Sequence, residues 1–193
     1  MIIGTGIGTS YQKLPKRERS VYDSFNRVNS LSIGMTDSGH EWQQISGGWG
    51  ITDNQCYIST PLVSNVDRLI LDSKLNDCEV SVQLNSFGEN PSRLIFRYLD
   101  TYNEFFVLAR PDQYIIQRRR EGTLTTLGAS QTIPVAGDTV KVRLKGANIT
   151  FYVNDIQKIQ ISDSFNQLAT KHGLCSINTT RCRFDNFKIE EIL

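Results

Sequence analysis

The sequence predicts an all-β protein, an antiparallel β-sandwich of the jelly-roll type. Three observations predict this fold class. Short strand-like runs recur between turn signals from Val21 onward, several of these runs alternate apolar with polar residues, and only residues 163–171 have a helical pattern. A chain with many short strands and almost no helix buries its apolar surface by packing one sheet against another.

The clearest strand pattern lies in residues 139–161. In 139–145 every second residue is valine or leucine and the residues between them are polar, so one face of this strand is buried. A Gly-Ala turn leads to a second alternating strand at 149–153, and an Asn-Asp turn leads to a third at 157–161. A three-strand meander cannot bury enough surface alone, so this one predicts a second sheet that covers its apolar face.

The remaining predicted strands are short runs with turn signals between them. In chain order they span residues 48–51, 55–59, 68–71, 78–84, 92–99, 104–110, 113–119, 124–129, 173–177 and 183–192. No internal repeat or Pro/Gly linker divides them, so residues 21–193 are predicted to form one domain.

Residues 1–20 are predicted to be a flexible N-terminal arm. Glycine alternates with threonine and isoleucine at positions 4–9, which gives no apolar face to bury, and a charged cluster follows at 16–19. The apolar residues before that cluster favour docking to a partner, and a disordered leader is the alternative. The residues predicted to dock the arm are Ile2, Ile3, Ile7, Lys13, Lys16 and Arg17.

Composition narrows the classes of partner. The chain has 193 residues with 21 basic and 20 acidic side chains, so its charge does not indicate a nucleic-acid partner. Its apolar runs are too short for membrane insertion, and residues 1–20 lack the apolar stretch of a secretion signal, which predicts a soluble, unexported chain. The four cysteines form no C-x-x-C pair and are predicted to be free thiols, with a Cys175–Cys182 bridge as the alternative in an oxidising compartment.

Several segments together resemble the concanavalin A-like lectin/glucanase superfamily, in its laminin-G-like branch. They are the run DSFNR at 23–27, Trp42, GGWGI at 47–51, FRYLDTYNEFF at 96–106, the meander at 140–161 and FDNFKI at 184–189. The resemblance covers residues 21–193 and implies a concanavalin A-like sandwich. Domains of this kind occur as carbohydrate-binding appendages of glycosidases, as glycosidase-like enzymes, and in bacteriophage tail and virion proteins.

The opening block at 23–51 looks most like the phage examples of this superfamily. We therefore predict a bacteriophage virion protein, a capsid decoration or tail component that is assembled in the host cytoplasm. The resemblance and the arm together imply a homo-oligomer that attaches to other virion proteins and contacts a host cell-surface glycan. The alternative is a carbohydrate-binding module of a polysaccharide-active protein, and a degenerate glycosidase is the third hypothesis.

The sequence is predicted not to encode an enzyme. Glycosidases of this superfamily use acidic residues that alternate along one strand, and the nearest approach here is Asp72, Asp77 and Glu79, of which the first two flank a polar turn. His40 and His172 each lie beside a glycine, with no serine or cysteine nucleophile near them in the sequence.

Two groups of aromatic and basic residues are candidates for contact with sugars. Trp42 lies in an irregular stretch and is the better candidate for exposure, with a core position as the alternative, whereas Trp49 alternates with Ile51 and is predicted to point into the core. The second group surrounds the turn at 100–103, and its alternatives are a solvated sheet face or a buried arginine satisfied by carbonyl groups. Its members are Arg97, Tyr98, Tyr102, Arg110 and Tyr114.

Two further features have competing interpretations. The resemblance implies a structural calcium site at Asp23 and Asp185, because the terminal strands of such sandwiches lie side by side. The alternative is that Asp23 caps a turn and Asp185 bonds to backbone. The run Arg118-Arg119-Arg120 is predicted to be a solvated hairpin end rather than a nucleic-acid site, because alternation points Arg119 away from its neighbours.

Overall fold

The fold is a two-sheet β-sandwich. The computed structural model describes residues 20–62, 66–86, 92–177 and 179–192, and this part of the chain forms fifteen β-strands and no helix. It therefore contains no helix that could span a membrane. The strands are β1 Ser20–Asp23, β2 Gln43–Ser46, β3 Gly48–Thr52, β4 Gln55–Thr60, β5 Val66–Asp72, β6 Cys78–Ser86, β7 Ser92–Asp100, β8 Asn103–Ala109, β9 Tyr114–Arg120, β10 Thr123–Ser130, β11 Asp138–Lys145, β12 Asn148–Val153, β13 Ile156–Ser162, β14 Lys171–Ile177 and β15 Arg183–Glu191.

The strands divide into one eight-stranded and one seven-stranded sheet. The eight-stranded sheet has the order β13-β12-β11-β6-β15-β4-β3, and β1 pairs with β15 beside this path. The seven-stranded sheet has the order β10-β9-β8-β7-β14-β5-β2. Every pairing between neighbouring strands is antiparallel. The predicted antiparallel sandwich is therefore confirmed.

The alternating strands bury the faces that their patterns predict. In β11 the apolar residues Val140, Val142 and Leu144 are at most 1 % exposed, whereas the residues between them are less buried. Direct pairing places Val142 opposite Phe151 of β12 and opposite Val80 of β6. The inner faces of both sheets then share one hydrophobic core.

Residues 163–171 do not form the predicted helix. Residues 165–168 are a turn, and Lys171 begins β14. The Asp163 carboxylate accepts a hydrogen bond from the Phe165 N–H, and Asn166 has a φ of 52°, a left-handed conformation that interrupts a helix. Strands β1 and β2 are only four residues long and are not among the strands predicted from the sequence.

The predicted arm residues Ile2, Ile3, Ile7, Lys13, Lys16 and Arg17 lie outside the described residues, so the arm and its boundary stay predictions. The four cysteines are buried thiols that form no disulfide with one another, as their spacing predicts. Cys175 lies in an apolar cluster on the outer face of the seven-stranded sheet, whereas Cys182 belongs to the core between the sheets. The alternative bridge between these two cysteines therefore does not form.

Candidate functional site

The outer face of the seven-stranded sheet carries a second apolar cluster, separate from the core between the sheets. Its members are Ile70, Ile95, Tyr98, Phe106, Leu108, Ile115 and Cys175, and each is at most 5 % exposed. A sheet face that meets only water in an antiparallel sandwich is usually polar. Each member is nevertheless almost fully covered within the protein, so this cluster stabilises the fold and is not itself an exposed apolar patch.

A buried ion pair crosses this face. Arg68 of β5 donates two hydrogen bonds to Glu104 of β8, from Nε to Oε2 at 3.0 Å and from Nη2 to Oε1 at 2.8 Å. The side chains are 4 % and 1 % exposed, and strands β14 and β7 lie between them. Burial by itself lowers the pKa of Arg68, but the hydrogen bonds and the negative charge of Glu104 raise it overall. The Arg68 guanidinium therefore remains charged although its side chain is buried.

Two further arginines lie on the same face. Arg119 of β9 places its Nε 3.5 Å from Glu104 Oε1, and its Nη1 donates to the Thr101 carbonyl at 3.4 Å. The guanidinium carbon of Arg93 lies 4.7 Å from the centre of the Phe106 ring, and this arginine is 8 % exposed. The outer face thus carries three guanidinium groups and one buried carboxylate, an excess of two positive charges among its buried groups.

A pocket of about 260 Å³ opens beside these charged residues. Its lining residues are Ser46, Val66, Arg68, Thr101, Tyr102 and Arg119. They come from β2 and β5 on one side and from β9 and the β7–β8 turn on the other, although β14, β7 and β8 separate β5 from β9 in the sheet. The residues from both sides surround a common hollow, so this face is concave at the pocket.

Tyr102 is the exposed aromatic residue of this pocket, with 65 % of its surface accessible. Its turn is held in place by polar contacts: Asp100 Oδ1 accepts a hydrogen bond from the Tyr102 N–H at 2.7 Å, and the Gly122 N–H donates to the Tyr102 carbonyl at 3.0 Å. The ring is thus presented to solvent on a fixed backbone. Of the predicted sugar-contacting residues, Tyr102 is the one that lines this pocket.

Trp42 is not exposed, and that prediction is wrong. Its indole Nε1 donates to Asp23 Oδ2 at 2.7 Å, and its ring packs 5.0 Å from the Phe187 ring. Because the buried carboxylate satisfies the indole N–H, the whole side chain enters the core and is only 4 % exposed. Trp49 is fully buried, which confirms its predicted core position.

Arg97 is also inaccessible to a ligand. It is fully buried, and its guanidinium donates to the backbone carbonyls of Asp163 and Gly146. The alternative, a buried arginine satisfied by carbonyl groups, is therefore confirmed for this residue. Tyr98 is 5 % exposed and lines a smaller pocket of about 160 Å³ with Leu99 and Leu168. Arg110 is exposed in the β8–β9 turn and lines neither pocket.

Tyr114 is fully buried between the sheets rather than on the outer face. Its hydroxyl donates to Asp138 Oδ2 at 2.8 Å, and its ring packs 5.4 Å from Phe151. Burial and the neighbouring Asp138 carboxylate raise the pKa of Tyr114, so its hydroxyl stays protonated. The prediction that it contacts sugar is wrong because its side chain points into the core.

Substituting Tyr114 with phenylalanine is expected to cost about 1 to 2 kcal/mol of stability, because the buried Asp138 carboxylate loses one of its hydrogen-bond donors. The loss is limited because Val135 N and Asn154 Nδ2 also donate to this carboxylate. Urea denaturation measures the change. A large loss of ligand binding in the folded variant would contradict the internal position of Tyr114.

Asp23 and Asp185 do not fit a calcium site. Asp23 is fully buried, and its two oxygens accept four hydrogen bonds, from Phe25 N, Trp42 Nε1 and two nitrogens of Arg27. The Arg27 guanidinium therefore occupies the place of a cation. Burial raises the pKa of Asp185, and no group of three metal-binding side chains occurs in the part of the chain that the structure describes. The turn-capping alternative for Asp23 is confirmed by its bond to Phe25.

The acidic residues considered as a glycosidase pair are not brought to one cleft. Asp72 accepts hydrogen bonds from Lys74 and Thr170 in a turn, and Asp77 accepts one from the Gly146 N–H. Glu79 lies on the eight-stranded sheet, where Lys141 and Arg143 approach it at 3.6 and 3.7 Å.

The fold points Arg118 and Arg119 to opposite faces of the sheet and brings His172 close to Cys78. Arg118 pairs with Asp163 at 2.6 Å, whereas Arg119 contacts Glu104 on the opposite face, as alternation predicts. His172 lies 3.6 Å from the Cys78 thiol, a contact that the sequence analysis misses. Burial raises the pKa of Cys78 to about 12, so this thiol is neutral and does not act as a nucleophile.

None of the predicted site residues is Arg68, Arg93 or Glu104. A usable signal does exist, because Arg68 precedes the apolar run Leu69–Leu71 and Glu104 precedes Phe105 and Phe106. A charged residue inside an otherwise buried strand requires a partner of opposite charge.

Comparison with known proteins identifies the fold. No protein-family model matches this chain, and no curated protein sequence matches it. A solved structure of the carbohydrate-binding module CBM66 from Bacillus subtilis is 15 % identical over 78 % of this chain and 91 % of its own, with a TM-score of 0.57. The apo Crh5 transglycosylase is 12 % identical over 91 % of this chain and 85 % of its own, with a TM-score of 0.64. The exoplasmic/lumenal domain of VIP36, in a Ca²⁺/Man3GlcNAc-bound form, is 12 % identical over 92 % and 90 %, with a TM-score of 0.56.

These similarities show that the chain has the concanavalin-like β-sandwich fold of carbohydrate-binding modules and glycoside-active enzymes. The prediction that the chain is not an enzyme is wrong, because a transglycosylase shares the fold over most of both chains. None of the three structures is described as a bacteriophage protein. The virion role, the homo-oligomer and the assembly in a host cytoplasm therefore stay predictions.

Proposed function

We propose that this protein binds glycans in the pocket on the concave outer face of its seven-stranded sheet. The observation that carries the proposal is the combination of exposed Tyr102 with the guanidinium groups of Arg68 and Arg119 in one pocket. A sugar ring presents apolar C–H groups on its faces and hydroxyls at its edge. An exposed aromatic ring and nearby fixed hydrogen-bond donors are complementary to those two surfaces.

The rigidity of the pocket supports this function. Glu104 holds the Arg68 guanidinium through two hydrogen bonds, and the turn that carries Tyr102 is bonded to Asp100 and Gly122. Groups that are already ordered lose less conformational entropy when a ligand arrives. The pocket is therefore prepared to bind with little rearrangement.

The similar structures support glycan binding at the level of the fold. CBM66 is described as a carbohydrate-binding module, and the VIP36 domain is described in a Man3GlcNAc-bound form. Fold analogy supports a class of ligand but does not identify the ligand itself. The similarity favours the carbohydrate-binding-module interpretation over the virion interpretation. The pocket residues support glycan binding independently, from the chemistry of this chain.

Replacing Tyr102 with alanine is expected to weaken glycan binding by roughly tenfold, because the variant loses the aromatic surface on which a sugar ring packs. Stability should change little, since the Tyr102 side chain is mostly exposed. A glycan array identifies ligands of the wild-type protein, and calorimetry then compares the affinities of the two proteins.

The matched control is Tyr22→Ala. Tyr22 is also exposed, at 38 %, but it lies on β1 in the eight-stranded sheet. This variant should bind as the wild type does. Glycan binding that survives Tyr102→Ala but not Tyr22→Ala would place the site on the other sheet, and a wild-type protein that binds no glycan would refute the proposed function.

A further inference from the structure

We propose that the pocket selects acidic glycans, those whose sugar units carry a carboxylate. This inference rests on the proposed function and adds the chemical class of the ligand. It follows from the imbalance of buried charge on the concave face, where Arg68, Arg93 and Arg119 accompany one buried carboxylate, Glu104.

The carboxylate of Glu104 is committed to Arg68. Both of its oxygens accept short hydrogen bonds from that guanidinium, and Arg119 approaches Oε1 only to 3.5 Å. Within the described residues, the buried Nε atoms of Arg93 and Arg119 have no hydrogen-bond partner. A buried charge without a hydrogen-bonded counter-charge is costly, and an anionic ligand would remove that cost.

Arg119 is the group best placed to meet such a ligand. Its side chain is 19 % exposed and lines the pocket beside Tyr102. The nearest carboxylate of the turn, Asp100, already accepts hydrogen bonds from the Tyr102 N–H and the Asn103 amide. Because these two groups engage the Asp100 carboxylate, the Arg119 guanidinium remains available for an anion that enters from solvent.

The shape of a guanidinium group favours a carboxylate among such anions. Its planar array of N–H donors matches two carboxylate oxygens, and hydrogen bonds between charged groups are roughly twice as strong as neutral ones. A neutral sugar in the same position would satisfy the donors but leave the excess positive charge in place. Tyr102 can pack on either kind of sugar ring, so the arginines supply the selectivity.

The test compares polygalacturonate with its fully methyl-esterified form, which has the same backbone without the charge. The wild-type protein is expected to bind the acidic polymer at least about tenfold more tightly at low salt, and this preference should shrink as sodium chloride is added. Arg119→Gln should remove most of the preference, because it weakens binding to the acidic polymer much more than binding to the ester. Calorimetry measures the affinities, and thermal unfolding verifies that the variant is folded.

Two controls separate the pocket from general charge attraction. Arg143→Gln removes the same charge from the eight-stranded sheet, where Arg143 is 44 % exposed, and it should keep the wild-type preference. Arg119→Lys keeps the charge but loses the planar donor array, so it should retain only part of the preference. Dextran sulfate is included as a polymer with a different anion.

The outcomes distinguish this inference from the proposed function. Equal binding of the acid and the ester, unchanged in Arg119→Gln, would overturn the inference and leave glycan binding intact. Tighter binding of dextran sulfate than of polygalacturonate, or an equal loss in Arg119→Gln and Arg143→Gln, would also overturn it. Absence of binding to every polymer and to a glycan array would overturn the proposed function as well.

Discussion

Replacing Glu104 with alanine is expected to lower the free energy of unfolding by about 3 to 5 kcal/mol. The variant leaves the Arg68 guanidinium, whose side chain is 4 % exposed, without its hydrogen-bonded carboxylate. It also removes the carboxylate that Arg119 approaches, so three positive charges remain on the concave face. Urea denaturation at neutral pH measures the loss.

The matched control for this experiment is Glu79→Ala. Glu79 also faces two cations, Lys141 and Arg143, but its side chain is 23 % exposed and the distances are 3.6 and 3.7 Å. Partly solvated pairs of this kind contribute little, so we expect a loss below about 1 kcal/mol. Similar losses in both variants would mean that water reaches Glu104.

A double variant separates the stability of the pair from its role in binding. Arg68→Met combined with Glu104→Leu replaces both charges by apolar side chains, and such replacements are often neutral or stabilising. We expect most of the stability lost in Glu104→Ala to return. Glycan binding should not return, because the ordered guanidinium of the pocket is gone. A stable double variant with wild-type affinity would remove Arg68 from the proposed site.

The meander at 138–162 could be predicted from the sequence because the pattern that specifies it is local. Each strand alternates apolar and polar residues, and short turns fix which strands are neighbours. The observed pairing of Val142 with Phe151 follows directly from that pattern. The sandwich then follows from the need to cover the apolar face of the meander.

The candidate site was not accessible in the same way. Arg68 and Glu104 are 36 positions apart, and they meet across β7 and β14, a late strand that inserts between β5 and β7. Periodicity gives the face on which a side chain lies but does not give the order of strands in a sheet. Trp42 fails for a related reason, since its indole N–H is satisfied by Asp23, 19 positions earlier.

His172 is expected to make the protein progressively less stable as the pH falls from about 6.5 to about 4. Its ring is fully buried, Nε2 lies 3.1 Å from the Leu75 carbonyl, and the Arg97 N–H donates to Nδ1 at 3.4 Å. A neutral imidazole satisfies both contacts, because its Nε2–H donates to the Leu75 carbonyl and its Nδ1 accepts from the Arg97 N–H. Burial, with the positive charge of Arg97, lowers the pKa of His172 to about 4.

The direction of the pH effect follows from which state takes up the proton first. The unfolded chain binds it near pH 6.5, the usual histidine value, whereas the folded protein does not bind it until about pH 4. Between these values the unfolded state holds more protons, so the free energy of unfolding falls by up to about 1.4 kcal/mol per pH unit. By pH 4 the free energy of unfolding has fallen by roughly 3 kcal/mol, whereas above pH 6.5 this stability is fully retained.

The measurement is the free energy of unfolding in urea from pH 7 to pH 4, for the wild type and for His172→Gln. Glutamine can keep a donor toward the Leu75 carbonyl and an acceptor toward the Arg97 N–H, but it does not titrate. The variant should therefore have a shallower dependence on pH, whatever its stability at pH 7. His40→Gln, in the loop before β2, is the control and should keep the wild-type slope. Because acidic residues titrate equally in all three proteins, parallel curves for the wild type and His172→Gln would show that His172 is accessible to protons in the folded state.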